Sequence, residues 1–129
     1  MGVESPVVLR ILICDDAAAF SLLLSKWMTA DDQLEVVGTT SDPDEAVLLA
    51  KELLPDVVVL DHLLGNDTSA TLVPRLRAAA PRIRILLISG MPTDRLEEAS
   101  ASSGADGFVS KASSGDHLRR AVHAVAASS

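Results

Sequence analysis

Four apolar runs in the chain each end in a side chain that can do chemistry. The run 7–14 (VVLRILIC) meets Asp15 and Asp16, 57–60 (VVVL) meets Asp61, 83–88 (IRILLI) meets Ser89, and GFVS, 107–110, meets Lys111. Three carboxylates converging on one pocket repel one another strongly, an arrangement that makes sense only around a cation. A donor set of oxygens, with no Cys or His cluster beside it, is hard and suits Mg²⁺ rather than zinc. Lys111 would add a point charge and Ser89 a hydrogen-bond donor. With the cation they complete a cradle for a phosphoryl group, and Asp61 is expected to be the reactive member.

Such a constellation requires elements that bring residues distant in sequence to one place. Runs apolar on both faces suit central strands of a parallel sheet covered by helices, and open sheets of that kind place ligands outside the carboxyl ends of their strands. The intervening segments read as helices. Phe20, Leu23, Leu24 and Trp27 fall at i, i+3, i+4 and i+7 on one helical face, with Asp16 placed to cap it. A second strand is expected over 34–39 (LEVVGT). Asp42-Pro43-Asp44-Glu45 predicts the next helix start: Asp42 caps, Pro43 takes the first helical position, and Glu45 reaches back as in a capping box. Ala46, Leu49, Ala50 and Leu53 form its buried face, and Pro55 marks its stop.

The segment 62–68 reads as a polar loop. The third helix, about 69–80, must accommodate Pro74 either by starting late or by kinking. A fourth helix, from about 93 to just before Gly104, has only Leu96 and Ala99 on its apolar face and is expected to be the least firmly packed. Ser114 caps a last helix bearing Leu118, Ala121, Val122 and Val125. Five strands alternating with five helices imply βαβ units, hence an α/β, doubly wound parallel sheet with right-handed crossovers.

Bulk properties narrow the options. A length of 129 residues is enough for one cored domain, expected over 7–127 behind a short tail at 1–6. The net charge of −7 argues against sequence-independent nucleic-acid binding, which needs clustered Lys and Arg. Cys14 is the single cysteine, so no internal disulfide is expected, and its apolar neighbours predict a buried thiol. No apolar run approaches the roughly 20 residues of a membrane span, and the N-terminus carries no signal-peptide pattern, so a cytoplasmic protein away from membranes is expected.

The chain resembles the receiver domains of two-component response regulators. The resemblance rests on Asp15-Asp16 after the first strand, Asp61 after the third, Ser89-Gly90 after the fourth, and Phe108-Val109-Ser110-Lys111 through the fifth. It implies a (βα)5, flavodoxin-like fold with strand order 2-1-3-4-5. Asp61 would be the phosphoacceptor, served by a histidine kinase or phosphotransfer protein. Asp15, Asp16, Asp61 and the Leu63 carbonyl would hold Mg²⁺. Lys111 would pair with the phosphoryl group, Ser89 and Phe108 would act as the switch hydroxyl and its coupled aromatic, and the small Gly90 would leave the phosphate reachable. Such a module is a phosphoacceptor rather than an enzyme. It would signal through the fourth helix, fifth strand and fifth helix to a downstream domain, with transcriptional output, or to a partner, with that face also available for homodimer formation.

Several positions depart from the commonest receiver pattern. Gly65 stands where many receivers carry proline, Asp67-Thr68 replaces an Asp-Gly, and Ala112 follows the lysine in place of a proline. The last feature, with Gly104-Ala105-Asp106-Gly107-Phe108 and Leu118-Arg119-Arg120-Ala121-Val122, looks more like receivers of helix-turn-helix transcription factors. Two other functions compete. An aspartyl-phosphate hydrolase would want a second carboxylate two residues after Asp61, where Leu63 stands. A degenerate pseudo-receiver would serve only for binding or dimerisation, against which the complete acidic set and Lys111 count. His62 is expected to point away from Asp61 and to be an exposed loop residue, and His117 and His123 read as surface positions.

Overall fold

The computed structural model describes residues 8–128; the tail expected over 1–6, and Val7, lie outside them. Strands β1 (Leu9–Cys14), β2 (Leu34–Thr40), β3 (Val57–Asp61), β4 (Arg84–Ser89) and β5 (Gly107–Ser110) alternate with helices α1 (Ala18–Thr29), α2 (Pro43–Leu53), α3 (Ser69–Ala79), α4 (Thr93–Ser103) and α5 (Gly115–Ala127). All five strands are parallel in the order β2-β1-β3-β4-β5, the doubly wound arrangement expected.

Alternation along the strands divides the core into two layers. Leu12, Cys14, Val58, Leu60, Ile85 and Leu87 face Ala46, Ala50, Leu72, Val73, Leu76 and Leu96 of α2, α3 and α4. Ile11, Ile13, Val57, Val59, Leu86 and Ile88 face Leu24 and Met28 of α1 and Leu118, Val122 and Val125 of α5. Val57 to Leu60 are at most 1% exposed, which is why the run needed apolar side chains on both faces. Each such side chain contributes about 1.5–3 kcal/mol of transfer free energy. Within this core burial pushes the Cys14 thiol up to about 12, and the neighbouring Asp15 charge adds to the push. It is an inert, structural group.

Local expectations met mixed outcomes. In α1 the buried pair is Leu24 and Met28, while Leu23 is 40% exposed and Leu22 60%; the four-residue face shifts by part of a turn because α1 meets the sheet along its Leu24 side. Ala17, not Asp16, occupies the cap position, and the N–H there is taken by Asp15 Oδ1 at 2.7 Å. Asp42 does cap α2, accepting from Glu45 N–H at 2.8 Å. The return half of the box is made differently: the Asp42 N–H donates to the Thr40 hydroxyl at 3.1 Å. Pro74 lies inside α3 on its exposed side, where the missing backbone donor faces water. Behind Leu96 on α4, the buried positions are Ser100 and Ser103, so the thin apolar face is completed by hydroxyls. Ser114 caps α5 through His117 N–H at 3.1 Å.

The segment after Asp61 is not a plain loop. Leu63–Leu64 pairs antiparallel with Asp67–Thr68 as a small hairpin turning at Gly65-Asn66, with Gly65 at φ +59° and Leu64 fully buried. Arg75 of α3 fastens it, reaching Asp67 at 3.6 Å and Asp44 of α2 at 2.9 Å. His62, expected to be exposed, is half-buried with Nδ1 2.7 Å from the Ser69 hydroxyl. His123 likewise has a partner, Asp31 Oδ2 at 2.9 Å, whereas His117 is exposed.

Candidate functional site at the carboxyl edge of the sheet

Asp15, Asp61 and Lys111 continue the alternation of β1, β3 and β5 on the side of α1 and α5, the side of Ile13, Val59 and Val109. The adjacent strands hold them in register, Asp61 opposite Ile88 and Ser89 opposite Ser110, with Lys111 N–H donating to the Ser89 carbonyl at 3.0 Å. Carboxylate oxygens of Asp15, Asp16 and Asp61 lie within 4.8 Å of one another. The Lys111 ammonium bridges two of these residues, 2.8 Å from Asp15 Oδ2 and 3.0 Å from Asp61 Oδ2.

Burial makes this electrostatically tense. The Asp15 side chain is fully buried and that of Asp61 11% exposed. Burial pushes the Asp61 carboxyl above its ordinary range; the Lys111 hydrogen bond and charge pull it down, Asp15 adds to the rise, and the Leu63 N–H opposes it. Burial also works to lower the Lys111 pKa, but the close contacts and charges of Asp15 and Asp61 outweigh it and hold the group above its usual value. One lysine against three carboxylates leaves negative charge in excess. The Lys111 contact with Asp15 Oδ2 is an ion pair without hydrogen-bond alignment, so this buried oxygen retains an unused acceptor site.

These features fit a small hard cation. Ligand oxygens around Mg²⁺ sit about 2.1 Å from the metal, hence about 3 to 4 Å apart, so a modest side-chain rotation or one bridging water brings the three carboxylates into a common shell. Asp16 is exposed, with Oδ2 3.4 Å from the Gly65 N–H of the hairpin. Asp61 Oδ1 lies 3.4 Å from the Leu63 N–H. Both contacts are long, which leaves these oxygens free to accept a cation.

Ser89 and Phe108 fall on the opposite parity, toward α2 to α4: Ser89 follows Ile85 and Leu87, and Phe108 packs against that layer. The Ser89 hydroxyl accepts from Met91 N–H at 3.1 Å. A Cβ added to Gly90 would meet nothing within 4 Å, so the approach over this residue is open. His62, one residue past Asp61, turns to Ser69 of α3, away from the carboxylates.

Sequence reasoning missed one neighbour. The Phe20 ring of α1 lies under the Lys111 ammonium, 4.7 Å from Nζ to the ring centroid, and meets Trp27 edge-on with centroids 6.3 Å apart. The signal was present in part: Phe20 lies on the first turn after Asp15-Asp16, and β5 parity sends Lys111 to the α1 side.

A family model described as the response regulator receiver domain matches residues 11–123. The response regulator protein VraR of Staphylococcus aureus is 23% identical over 116 residues, which cover 90% of this chain and 56% of that protein. The chain thus spans about half the length of the curated relatives it matches. The signal receiver domain assigned to the response regulator NarL of Mycobacterium tuberculosis superposes with a TM-score of 0.86 at 28% identity, covering 94% of this chain and 98% of that one. A LuxR-family two-component response regulator from Aurantimonas sp. SI85-9A1 gives 0.86 at 26% identity, over 93% and 86% of the two chains. From the strand order, the carboxylate cluster with its lysine, and a family match across most of its length, the chain belongs to the receiver domains of two-component response regulators.

Proposed function

We propose that this receiver accepts a phosphoryl group on Asp61, with Mg²⁺ bound, from a histidine kinase or phosphotransfer protein. The observation that carries the reading is the Lys111 ammonium held between Asp15 and Asp61 beside a third carboxylate, Asp16. Asp15, Asp16, Asp61 and the Leu63 carbonyl are the residues that would hold the cation. When bound, it neutralises charge on the phosphoryl oxygens and lets two anions approach each other.

The protein's own groups do the rest by positioning and charge. An Asp61 oxygen attacks phosphorus, forming an acyl phosphate as the donor's P–N bond breaks, and the leaving imidazole nitrogen keeps the electron pair and takes a proton from solvent. Lys111 follows the charge from the carboxylates to the phosphoryl oxygens. The Ser89 hydroxyl gives up Met91 N–H to donate to one of those oxygens, and Phe108, on the same face, fills the space it leaves. Output then passes through α4, β5 and α5, the face also proposed for a homodimer. The acting unit is the receiver over 7–127, and a longer regulator that controls transcription is the setting most consistent with its LuxR-family relatives.

Incubation with acetyl phosphate and Mg²⁺, followed by intact mass, tests the reading. Wild type should gain one phosphoryl adduct that Asp61→Asn lacks and that chelation prevents. A wild type that stays unmodified, with the fold intact, would leave only a binding or dimerisation module.

A further inference from the structure

We infer that Phe20 is a positioning residue that holds the Lys111 ammonium in place at the phosphoacceptor, an assignment that builds on the reading of Asp61 above. Lys111 follows Ser110, the last residue of β5, and begins a turn, so its long side chain is not fixed by regular structure. Two anchors are the carboxylates, at 2.8 and 3.0 Å. They constrain the ammonium along the line between Asp15 and Asp61 but leave it free to swing off that line.

The Phe20 ring closes that freedom from the α1 side, its face 4.7 Å from Nζ. A cation over an aromatic face is attracted by the ring quadrupole, more strongly when partly desolvated, and only 21% of the Lys111 side chain is exposed. The ring is itself braced. Trp27, two turns along α1, meets it edge-on, and Trp27 is pinned in turn by Gly115, where an added Cβ would come within 2.8 Å of the indole. The π face, rather than apolar bulk alone, is the feature that serves the lysine. As Lys111 shifts its pairing from the carboxylates to an incoming phosphoryl group, the ring keeps the ammonium within reach instead of letting it drift to solvent.

The test combines Phe20→Leu, which keeps apolar bulk without a π face, with Phe20→Tyr, which keeps both, each made with Lys111 intact and with Lys111→Met. Acetyl phosphate with Mg²⁺ and intact mass gives initial rates of adduct formation. Phe20→Leu should slow acceptance about fivefold with Lys111 present and leave it unchanged with Lys111→Met, and Phe20→Tyr should stay within about twofold of wild type. Equal slowing in both backgrounds, or no slowing in either, would overturn the inference. NMR of the Lys111 side chain, run without any phosphodonor, separates it from the fate of the functional reading. Ring-current shifts kept in Phe20→Tyr and lost in Phe20→Leu support the positioning role even if wild type takes no phosphoryl group; unchanged shifts in Phe20→Leu overturn it.

Discussion

Asp61 is a carboxylate whose burial makes ionisation costly and whose proposed role as phosphoacceptor requires it ionised. Its raised pKa means that folding shifts its equilibrium toward the neutral acid relative to the unfolded chain. The stability from that neutral form is fully present below the unfolded-state pKa and is lost as pH rises through the folded value. Asp61→Asn escapes this loss, because it is neutral throughout and leaves Lys111 its Asp15 partner. It is therefore expected to melt higher than wild type at neutral pH without metal, and Mg²⁺ should stabilise wild type more than the variant. Kinetics should carry the same signature. With limiting Mg²⁺, acceptance should fall with decreasing pH starting above the ordinary carboxylate range, and saturating Mg²⁺ should move that fall lower, because cation and proton compete for the same oxygens. Initial rates measured between about pH 5 and 8 at two Mg²⁺ concentrations check both statements.

At the scale of elements, the hairpin after Asp61 ties the site to its surroundings. Gly65 adopts φ +59°, and a Cβ there would also press to 3.1 Å on Pro43 at the start of α2. Gly65→Ala should thus cost about 1–2 kcal/mol, from the left-handed backbone alone, measured as a lower denaturant midpoint at unchanged slope. Because the Gly65 N–H faces Asp16 Oδ2, the same substitution should weaken Mg²⁺ binding in a titration followed by Trp27 fluorescence or calorimetry. A variant with unaltered metal affinity would show that the hairpin does not position Asp16. Little of this element was legible beforehand. Asp67 and Asn66 made the segment look like a solvated loop, and its order comes from groups outside it, Ser69 and Arg75 of α3 and, farther off in the chain, Pro43.

For the molecule as a whole, α4 is the helix with the thinnest apolar anchorage. Its buried side chains are one leucine and two serines, Leu96, Ser100 and Ser103, against three apolar side chains for α5, Leu118, Val122 and Val125. Opening free energy follows buried apolar contact, so amides of α4 should exchange with deuterium faster than those of α5. Binding of beryllofluoride with Mg²⁺, as a phosphoryl mimic, should shift amide resonances over 90–125 more than those of α2. Unchanged shifts there would remove α4, β5 and α5 as the output face. Among the described residues no helix is long and apolar enough to cross a membrane.

The amino-acid sequence by itself determined the elements and the chemistry at their ends. Two-faced apolar runs can be satisfied only between helix layers, and a carboxylate, hydroxyl or lysine ending such a run must emerge on one edge of a parallel sheet. Asp42-Pro43 marked a helix start from local hydrogen bonding alone, and it formed there. Tertiary structure decided everything that depends on a distant partner. Which leucines of α1 are buried followed from how the helix meets the sheet. His62 and His123 acquired partners on other elements. Most tellingly, Phe20 and Lys111 stand 91 positions apart in the chain and meet only because β5 parity and the placement of α1 direct both to the same side of Asp61. Periodicity reports the face a side chain occupies; only packing decides what it finds there.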